Sequence, residues 1–373
     1  MKLKLQDPQL LRTCAYIDGR WTGAADGASF EVNNPATGER VADVANLGAQ
    51  HTTAAIAAAE RAMIEWRQRP AKDRSQLLRR WYDQVMANQD DLAILMTVEQ
   101  GKVLGESMAE VAYGASFIEW FAEEAKRIYG DVIPGPNDRR QVVIKQPVGV
   151  VGAITPWNFP NAMITRKAGP ALAAGCSIVI KPAAETPLSA LALAELADRA
   201  GIPAGVINVV TGLDARAIGQ AMTDSPIVRK LTFTGSTPVG KQLLQQSAAS
   251  VKKVSMELGG NAPILVFDDA DLDQAVAGAL ASKYRNAGQT CICVNRVLVQ
   301  ESIYKEFIDR FVAAVAKFKL GNGLREQTSV GPLITARAAN DVHKKVRDAV
   351  AAGATIALGG EPAGELGECF YQP

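Results

Sequence analysis

Apolar residues recur at helical spacing through the first third of the chain, in segments with few helix breakers. The spacing predicts helices over 49–67, 72–100 and 106–129. Before them, the Asp18-Gly19 pair stands between apolar residues and predicts a small β-hairpin. Amphipathic helices of this kind must bury their apolar faces, so we expect a sheet beneath them.

From residue 141 the pattern changes to short apolar, β-rich runs that alternate with helices. The expected helices lie near 160–174, 187–200, 215–222 and 237–248, between expected strands at 177–181, 206–210 and 230–233. A second such segment starts at 262, with strands near 263–267, 294–300 and 354–358 and helices near 271–285, 302–318 and 335–352. This alternation predicts an α/β fold with a parallel sheet. The glycine pair Gly259-Gly260 favours a domain boundary near Glu257.

Composition excludes several classes of partner. With 373 residues two domains are expected, and 40 Lys plus Arg against 39 Asp plus Glu leave a net charge of +1. This balance offers no electrostatic footprint for nucleic acid or an anionic membrane. The N-terminus lacks an apolar signal region, and no run approaches the ~18 apolar residues of a membrane span. We therefore expect a cytoplasmic protein.

The cysteines and histidines argue against disulfide and metal chemistry. The five cysteines are odd in number and scattered, so free thiols are expected: Cys14, Cys176, Cys291, Cys293 and Cys369. The two histidines, His51 and His343, have no neighbouring ligand-like cluster. We therefore expect no metal site and no Ser-His-Asp triad.

The segment FTGSTPVGK, Phe233 to Lys241, follows a predicted strand and opens a predicted helix. Free backbone N–H groups beside Gly235 and Ser236 would form an anion site there. A nucleotide-triphosphatase loop is disfavoured, because Gln242 stands where Ser or Thr should hold magnesium. A plain glycine turn that enters a structural helix remains open.

A second motif, FDDADLD from Phe267, resembles a calcium-binding loop but fails in detail. Counted from Asp269, position six is Gln274 rather than Gly, and position twelve is Leu280 rather than Glu. The carboxylates fit better as caps of the following helix.

Cys291 lies in RNAGQTCICVNR, and a lone cysteine is most often a small buried hydrophobe. Four further motifs accompany it in order: TPWNFP (155–160), KPAAETP (181–187), FTGSTPVG (233–240) and MELGGNAP (256–263). Together they resemble the aldehyde dehydrogenase superfamily, from about Tyr16 to the C-terminus. Within it the chain looks most similar to the bacterial succinate-semialdehyde dehydrogenases.

This resemblance implies an architecture. It implies a Rossmann-type parallel-sheet NAD(P)-binding domain over 1–256, with a bridging hairpin near 130–147 that serves oligomerisation. It implies a second α/β catalytic domain over 257–373. Relatives continue beyond Pro373, so we expect this domain to be incomplete. A full-length chain would form a homo-oligomer, expected to be a tetramer.

The resemblance also implies thioester chemistry at Cys291. The thiolate would attack the aldehyde, the Asn158 amide and the Cys291 N–H would bind the oxyanion, and Glu257 would activate water. No metal takes part. Outside the family, Asn158 reads as a turn residue and Glu257 as a surface carboxylate.

By similarity the dinucleotide lies along residues of four segments. They are Trp157, Asn158, Lys181, Pro182, Ala183, Ala184, Gly235, Ser236 and Leu258. Many NAD-specific relatives have a glutamate at the position of Ala184, which repels a ribose 2′-phosphate. Ala184 removes that repulsion, so we expect NADP, with NAD possible.

The substrate is expected to be a small carboxylated aldehyde. The resemblance puts Arg166 and Arg285 at the mouth of the aldehyde tunnel, where they would pair a carboxylate. Succinate semialdehyde is the expected substrate, and glutarate semialdehyde or another aldehyde is the alternative. An inactive nucleotide-binding remnant is the competing class. In some relatives a pair like Cys291 and Cys293 acts as a redox switch, although Cys293 could equally be a packing thiol.

Overall fold

Helices and strands alternate along the chain in the computed structural model, which describes residues 3–373. The strands are β1 (Ala15–Ile17), β2 (Arg20–Thr22), β3 (Ser29–Asn33), β4 (Arg40–Ala45), β5 (Asp131–Ile133), β6 (Gln141–Val143), β7 (Val150–Ile154), β8 (Ile178–Lys181), β9 (Ile207–Val209), β10 (Val228–Thr234), β11 (Lys253–Glu257), β12 (Ala262–Val266) and β13 (Val294–Val299). The helices are α1 (Ala49–Trp66), α2 (Ala71–Ala87), α3 (Gln89–Gln100), α4 (Leu104–Glu124), α5 (Ala162–Ala173), α6 (Pro187–Arg199), α7 (Ala215–Asp224), α8 (Thr237–Ala248), α9 (Leu272–Tyr284), α10 (Glu301–Val315) and α11 (Ala336–Ala351). Across the described range, none of these helices has both the length and the apolar character needed to cross a bilayer.

One large sheet dominates the fold. Within residues 3–373 it has seven strands, in the order β11-β10-β7-β8-β9-β1-β2. The five strands from β11 to β9 are parallel, and β1 and β2 extend the sheet in antiparallel pairing. The predicted α/β class with a parallel sheet is confirmed.

At the central strands β7 and β8 both faces of this sheet are covered by helices, which explains why these strands are apolar without alternation, whereas the edge strand β11 alternates between exposed and half-buried residues. In β8, Ile178 and Ile180 pack into the cluster formed with α2 to α6, whereas Val179 packs into the cluster formed with α1, α7 and α8. Successive side chains of a strand point to opposite faces, so all of β8 is buried. Because helices cover the two faces, the carboxyl ends of these strands are where the loops remain accessible.

Two hairpins match expected positions. Asp18 and Gly19, with φ of 53° and 73°, form the turn between β1 and β2, as predicted. Within 130–147, β5 and β6 pair as an antiparallel hairpin. All residues of both strands are exposed.

A smaller parallel pair, β12 and β13, forms a separate sheet. Its core includes Val266, Val276, Ala279 and Phe307 from β12, α9 and α10. The turn 258–261 joins β11 of the large sheet to β12 of this one. The division of the chain at Glu257 stays a prediction.

Two expected elements are wrong. The predicted helix over 72–100 is two helices, because Asn88 leaves the helical region (φ −113°, ψ 23°) and its side-chain amide donates to the carbonyl of Gln84 (2.8 Å). The predicted strand at 354–358 does not form, and this segment is exposed and has no pairing strand among the described residues. An apolar run becomes a strand only where a neighbouring strand takes up its backbone hydrogen bonds.

Candidate active site

Four loops converge at the carboxyl edge of the large sheet. The strands β11, β10, β7 and β8 are neighbours, and their last residues are in register: Thr234 pairs with Glu257, and Ile154 pairs with Lys181. Loops that follow adjacent parallel strands meet at one edge, where α/β proteins bind ligands. The structure therefore brings together the segments in which the cofactor residues were predicted.

Cys291 is exposed, in a loop of residues 289–293 that we call the Cys291 loop. The loop follows a short turn in which Asn286 and Ala287 have φ of 52° and 53° and Gly288 has φ of 76°. Left-handed backbone at non-glycine residues costs free energy and persists only where neighbours impose it. Asn286 is buried and held by four hydrogen-bonding groups, described below, so the approach to Cys291 is a fixed turn.

Asn158 contacts this loop directly. It lies in the Asn158 loop (residues 155–161), which connects β7 to α5. Its side-chain Nδ2 donates to the backbone oxygen of Gln289 (2.9 Å), two residues before Cys291. Since a primary amide carries two N–H groups, one N–H of Asn158 is left over for a ligand.

Glu257 is the last residue of β11, and its side chain is exposed. The N–H of Gly235 donates to the Glu257 backbone oxygen (3.1 Å), which ties it to the anion-site turn. The turn 258–261, which follows Glu257, lies against the Cys291 loop: a Cβ built on Gly260 would be 2.7 Å from the Cys291 carbonyl oxygen. Glu257 therefore stands between the Gly235 turn and the Cys291 loop.

The Lys181 segment forms another wall of this edge. Lys181 is 5% exposed and ends β8, and the N–H of Thr155 donates to its carbonyl oxygen (3.1 Å). Burial lowers the pKa of the Lys181 ammonium, and Glu185 opposes this shift. Pro182 is buried, whereas Ala183, Ala184 and the indole of Trp157 across the edge are half-buried.

Gly235 and Ser236 precede α8, as the sequence predicted. A Cβ on Gly235 would lie 2.5 Å from the Phe233 ring, so a larger residue would displace that ring. Ser236 is the N-cap residue of α8, but its side chain makes no capping hydrogen bond. The N–H groups of a first helical turn lack intrahelical acceptors and can bind an anion. Leu258 covers the same helix, since a Cβ on Gly240 would be 2.4 Å from Leu258 Cδ2.

Arg166 and Arg285 border one small apolar cluster, formed by Phe159, Ala162 and Met163. The Arg285 guanidinium carbon lies 5.0 Å from the centre of the Phe159 ring. Arg166 Nη1 lies 3.9 Å from Met163 Sδ. The Arg285 guanidinium therefore lies against the Asn158 loop, whereas Arg166 contacts Met163 of its own helix and lies 5.4 Å from the centre of the Phe117 ring in α4.

Cys293 differs from Cys291 in its surroundings. It is 1% exposed, and its thiol donates to the backbone oxygen of Lys283 (3.3 Å). A disulfide with Cys291 would require this buried sulfur to leave its acceptor. Both thiols are free in the structure.

A buried polar network, which the sequence analysis missed, lies behind the Asn158 and Cys291 loops. Lys102 and Glu110 form an ion pair whose side chains are each 1% exposed. Gln100, Glu106 and Asn286 complete the network. One signal in the sequence points to it: Glu110 falls at helical spacing on the face of α4 that also buries Ser107 and Val111.

Two more buried charges were missed. Lys167 donates to the hydroxyls of Thr232 and Thr234 in β10 (3.2 and 2.7 Å). Burial first and the nearby charge of Arg166 second lower the pKa of Lys167 to about 8, and Glu257 opposes this shift. Glu99 accepts the N–H groups of Leu188 and Ser189 (2.7 and 2.9 Å), at the start of α6.

Comparison with known proteins agrees with this geometry. A model of the aldehyde dehydrogenase family matches residues 21–373. Glutarate-semialdehyde dehydrogenase of Pseudomonas aeruginosa is 59% identical over 372 residues, which cover 100% of this chain and 77% of that protein. The NADP(+) succinate-semialdehyde dehydrogenase GabD of Escherichia coli is 58% identical over 372 residues, with coverage of 100% and 77%. The crystal structure of an NADP-dependent enzyme of E. coli superimposes with a TM-score of 0.98 at 57% identity, covering 99% of this chain and 77% of that one.

Proposed function

Because the chain belongs to the aldehyde dehydrogenase family, we propose that it oxidises succinate semialdehyde to succinate with NADP, through a thioester on Cys291. One observation carries this proposal. The exposed Cys291 thiol lies in a loop that is contacted on one side by the Asn158 amide and on the other by the turn after Glu257. This arrangement supports Cys291 as the nucleophile, Asn158 as the oxyanion donor and Glu257 as the base, each carried by a separate element.

In the first step, the Cys291 thiolate attacks the aldehyde carbon, a C–S bond forms and the carbonyl oxygen becomes an oxyanion. The free N–H of the Asn158 amide and the backbone N–H of Cys291 stabilise this charge. As the carbonyl re-forms, the carbon releases its hydrogen as hydride and a thioester remains on Cys291.

In the second step, Glu257 takes a proton from water, and the hydroxide attacks the thioester carbon. The C–S bond breaks, so the acid leaves and the Cys291 thiolate is restored. The glycines after Glu257 support this role, because they let its backbone lie close to the Cys291 loop.

Members of this family use NAD(P)+, which supplies the hydride acceptor. The residues present fit a dinucleotide: Ser236 and the first turn of α8 would hold the diphosphate, and Leu258 and Trp157 would flank it. The buried Lys181 ammonium would face the adenosine ribose, and Ala184 puts no negative charge there. These features favour NADP over NAD.

The two arginines support a carboxylated substrate. Arg166 and Arg285 flank the apolar cluster beside Asn158, so an aldehyde bound at Cys291 could extend its methylenes over that cluster. Its far carboxylate would meet the guanidinium groups. Glutarate semialdehyde is one methylene longer, and one methylene is worth only about 1–3 kcal/mol of discrimination. It is therefore the alternative substrate.

Two further predictions belong to this proposal. Cys293 is proposed as the resolving thiol of a redox switch, which would have to break its hydrogen bond to Lys283. The β5–β6 hairpin is proposed as an oligomerisation element, because Val132 is 69% and Val142 is 61% exposed. A domain boundary at Glu257 fits the turn that joins the two sheets.

The test compares Glu257→Gln and Cys291→Ser with the unaltered chain, using succinate semialdehyde, glutarate semialdehyde and both cofactors. Glu257→Gln should release reduced cofactor once per active site and then stop, and mass spectrometry should find the acyl group on Cys291. Cys291→Ser should give no burst. Glu301→Gln, at an exposed position on α10, is the matched control and should turn over normally.

Two outcomes would contradict the proposal. Steady turnover by Cys291→Ser would show that the reaction does not pass through a thioester on Cys291. An unaltered chain that binds dinucleotide but reduces none with any aldehyde would instead assign the chain to the competing class, a nucleotide-binding remnant.

A further inference from the structure

The ion pair between Lys102 and Glu110 is buried to an unusual degree. Each side chain is 1% exposed; Lys102 lies between α3 and α4, and Glu110 lies in the second turn of α4. Transfer of two charges out of water is costly, and their mutual attraction offsets this only when further hydrogen bonds complete the geometry. Both partners do make such bonds, and these bonds reach the Asn158 loop and the first residue of α5.

Lys102 contacts two consecutive residues of that loop. Its Nζ donates to the backbone oxygen of Asn158 (2.8 Å) and lies 4.2 Å from the centre of the Phe159 ring. Glu110 binds the other end of the loop, because its Oε1 accepts the N–H groups of Asn161 (3.0 Å) and Ala162 (3.1 Å). The pair therefore fixes the backbone on both sides of Phe159.

The same carbonyl joins the Asn158 loop to the Cys291 loop. Asn286 Nδ2 donates to the Asn158 oxygen (3.0 Å) and to the Gln289 oxygen (3.4 Å). Asn286 is itself held from the α3–α4 junction: Gln100 Nε2 donates to its Oδ1 (3.0 Å), and its backbone N–H donates to Glu106 Oε1 (2.9 Å). One carbonyl oxygen thus receives donors from Lys102 and from the strained turn before Cys291.

We propose that Lys102 is a positioning residue for the oxyanion site. Its ammonium, oriented by Glu110, fixes the Asn158 peptide so that the side-chain amide faces the Cys291 loop. This inference rests on the proposed function, since it assigns Lys102 to the step in which Asn158 binds the oxyanion. Lys102 touches no reacting atom, and it acts through Asn158.

The predicted effect has a specific kinetic form. Displacement of a catalytic group by about 1 Å costs roughly 100-fold in rate, and loss of one oxyanion donor costs about 100- to 1,000-fold. Lys102→Met should therefore slow the burst of reduced cofactor by at least about 10-fold. Only Trp157 and Asn158 of the proposed dinucleotide residues belong to the loop that Lys102 holds, and the others end or follow β8, β10 and β11. The Kd for NADP should therefore change far less than the burst rate.

The experiment is a double-mutant cycle on the full chain with succinate semialdehyde and NADP. The burst rate is measured for Lys102→Met, Asn158→Ala and the double variant. If Lys102 acts through Asn158, then Lys102→Met should have little further effect once Asn158 is alanine. A purely structural lysine would instead slow both backgrounds equally, and that result would overturn the proposal.

Two variants guard against unfolding as the explanation. Lys102→Met/Glu110→Gln removes both charges of the pair, so it should fold without an unpaired buried carboxylate and should show the same slow burst; a normal burst would contradict the inference. Arg12→Met breaks a distant ion pair with the buried Glu195 and should retain the normal burst. An equally slow burst in Arg12→Met would show that the slow burst of Lys102→Met comes from general destabilisation, and it would contradict the inference.

The outcomes separate this inference from the function on which it rests. A normal burst in folded Lys102→Met, with none in Cys291→Ser, would reject the positioning role and leave the thioester mechanism intact. Absence of any burst in the unaltered chain would reject the proposed function, and the role of Lys102 would fall with it.

Discussion

Gly260 lies directly against Cys291: a Cβ on Gly260 would be 2.7 Å from the Cys291 carbonyl oxygen. This contact explains why a glycine is needed after Glu257, since the neighbour is backbone and cannot rotate away. It also sets the approach of the β11–β12 turn to the proposed nucleophile.

Gly260→Ala should therefore displace the Cys291 loop. We expect kcat to fall by at least about 10-fold, because shifts near 1 Å are costly at a reacting centre. Steady-state kinetics with succinate semialdehyde would measure this. Gly278→Ala is the control, because a Cβ at Gly278 in α9 meets no atom within 4 Å. Equal activity of both variants would show that the contact has no catalytic consequence.

Ala184→Glu should shift cofactor preference towards NAD. A carboxylate beside the adenosine ribose would repel the 2′-phosphate of NADP and accept a hydrogen bond from the 2′-hydroxyl of NAD. The ratio of kcat/KM for NADP to that for NAD should fall by at least about 10-fold. Ala184→Gln introduces a side chain of the same size as glutamate but without charge, so it should change the ratio far less. An unaltered ratio in Ala184→Glu would refute this argument.

Arg166→Ala and Arg285→Ala should weaken binding of carboxylated aldehydes selectively. A charge-assisted hydrogen bond is worth about 1.5–3 kcal/mol, so KM for succinate semialdehyde should rise roughly 10- to 100-fold. KM for a neutral aldehyde of equal length should stay within about twofold. Arg310→Ala, which removes exposed ion pairs to Glu306 and Asp273, is the control. Equal increases for both aldehydes would exclude a carboxylate contact.

Because of Lys167, the free energy of unfolding should depend on pH in the alkaline range. Burial lowers its pKa to about 8, against 10.5 for an exposed lysine. Between these pH values the unfolded chain binds more protons than the folded chain, so this residue's contribution to the free energy of unfolding rises with pH. The slope cannot exceed about 1.4 kcal/mol per pH unit for one proton.

Denaturant unfolding of the unaltered protein and of Lys167→Met, from pH 7.5 to 10.5, measures this contribution. The difference in unfolding free energy should shift in favour of the unaltered protein as pH rises. A constant difference across the range would mean that the lysine keeps its ordinary pKa in the folded state.

Local pattern was sufficient to predict most of the fold. The alternation of short apolar runs with helices indicated a parallel sheet that includes β8, and Asp18-Gly19 indicated the turn between β1 and β2. Pattern failed at Asn88, where a side-chain hydrogen bond interrupts the helix. It also failed at 354–358, where a strand-like sequence has no strand beside it.

The site was predicted only as far as single motifs could carry it. Cys291, Glu257 and Asn158 were predicted from the sequence because each lies in a recognisable segment. Lys102 was not, because its burial results from a contact with Asn158, 56 positions away. At the end of a helix and after a glycine, a lysine is usually a solvated residue. Contacts between residues so far apart in the chain leave no repeating pattern in the sequence from which they could be predicted.

The end of α3 lies between the Lys181 segment and the Cys291 loop. Glu99 binds the first turn of α6, which follows the Lys181 segment, and Gln100 binds the turn that leads to Cys291. Both segments are thus ordered while the chain folds, and neither must lose conformational entropy when a ligand arrives. Binding free energy of the dinucleotide can then appear as affinity rather than being consumed in organising the protein.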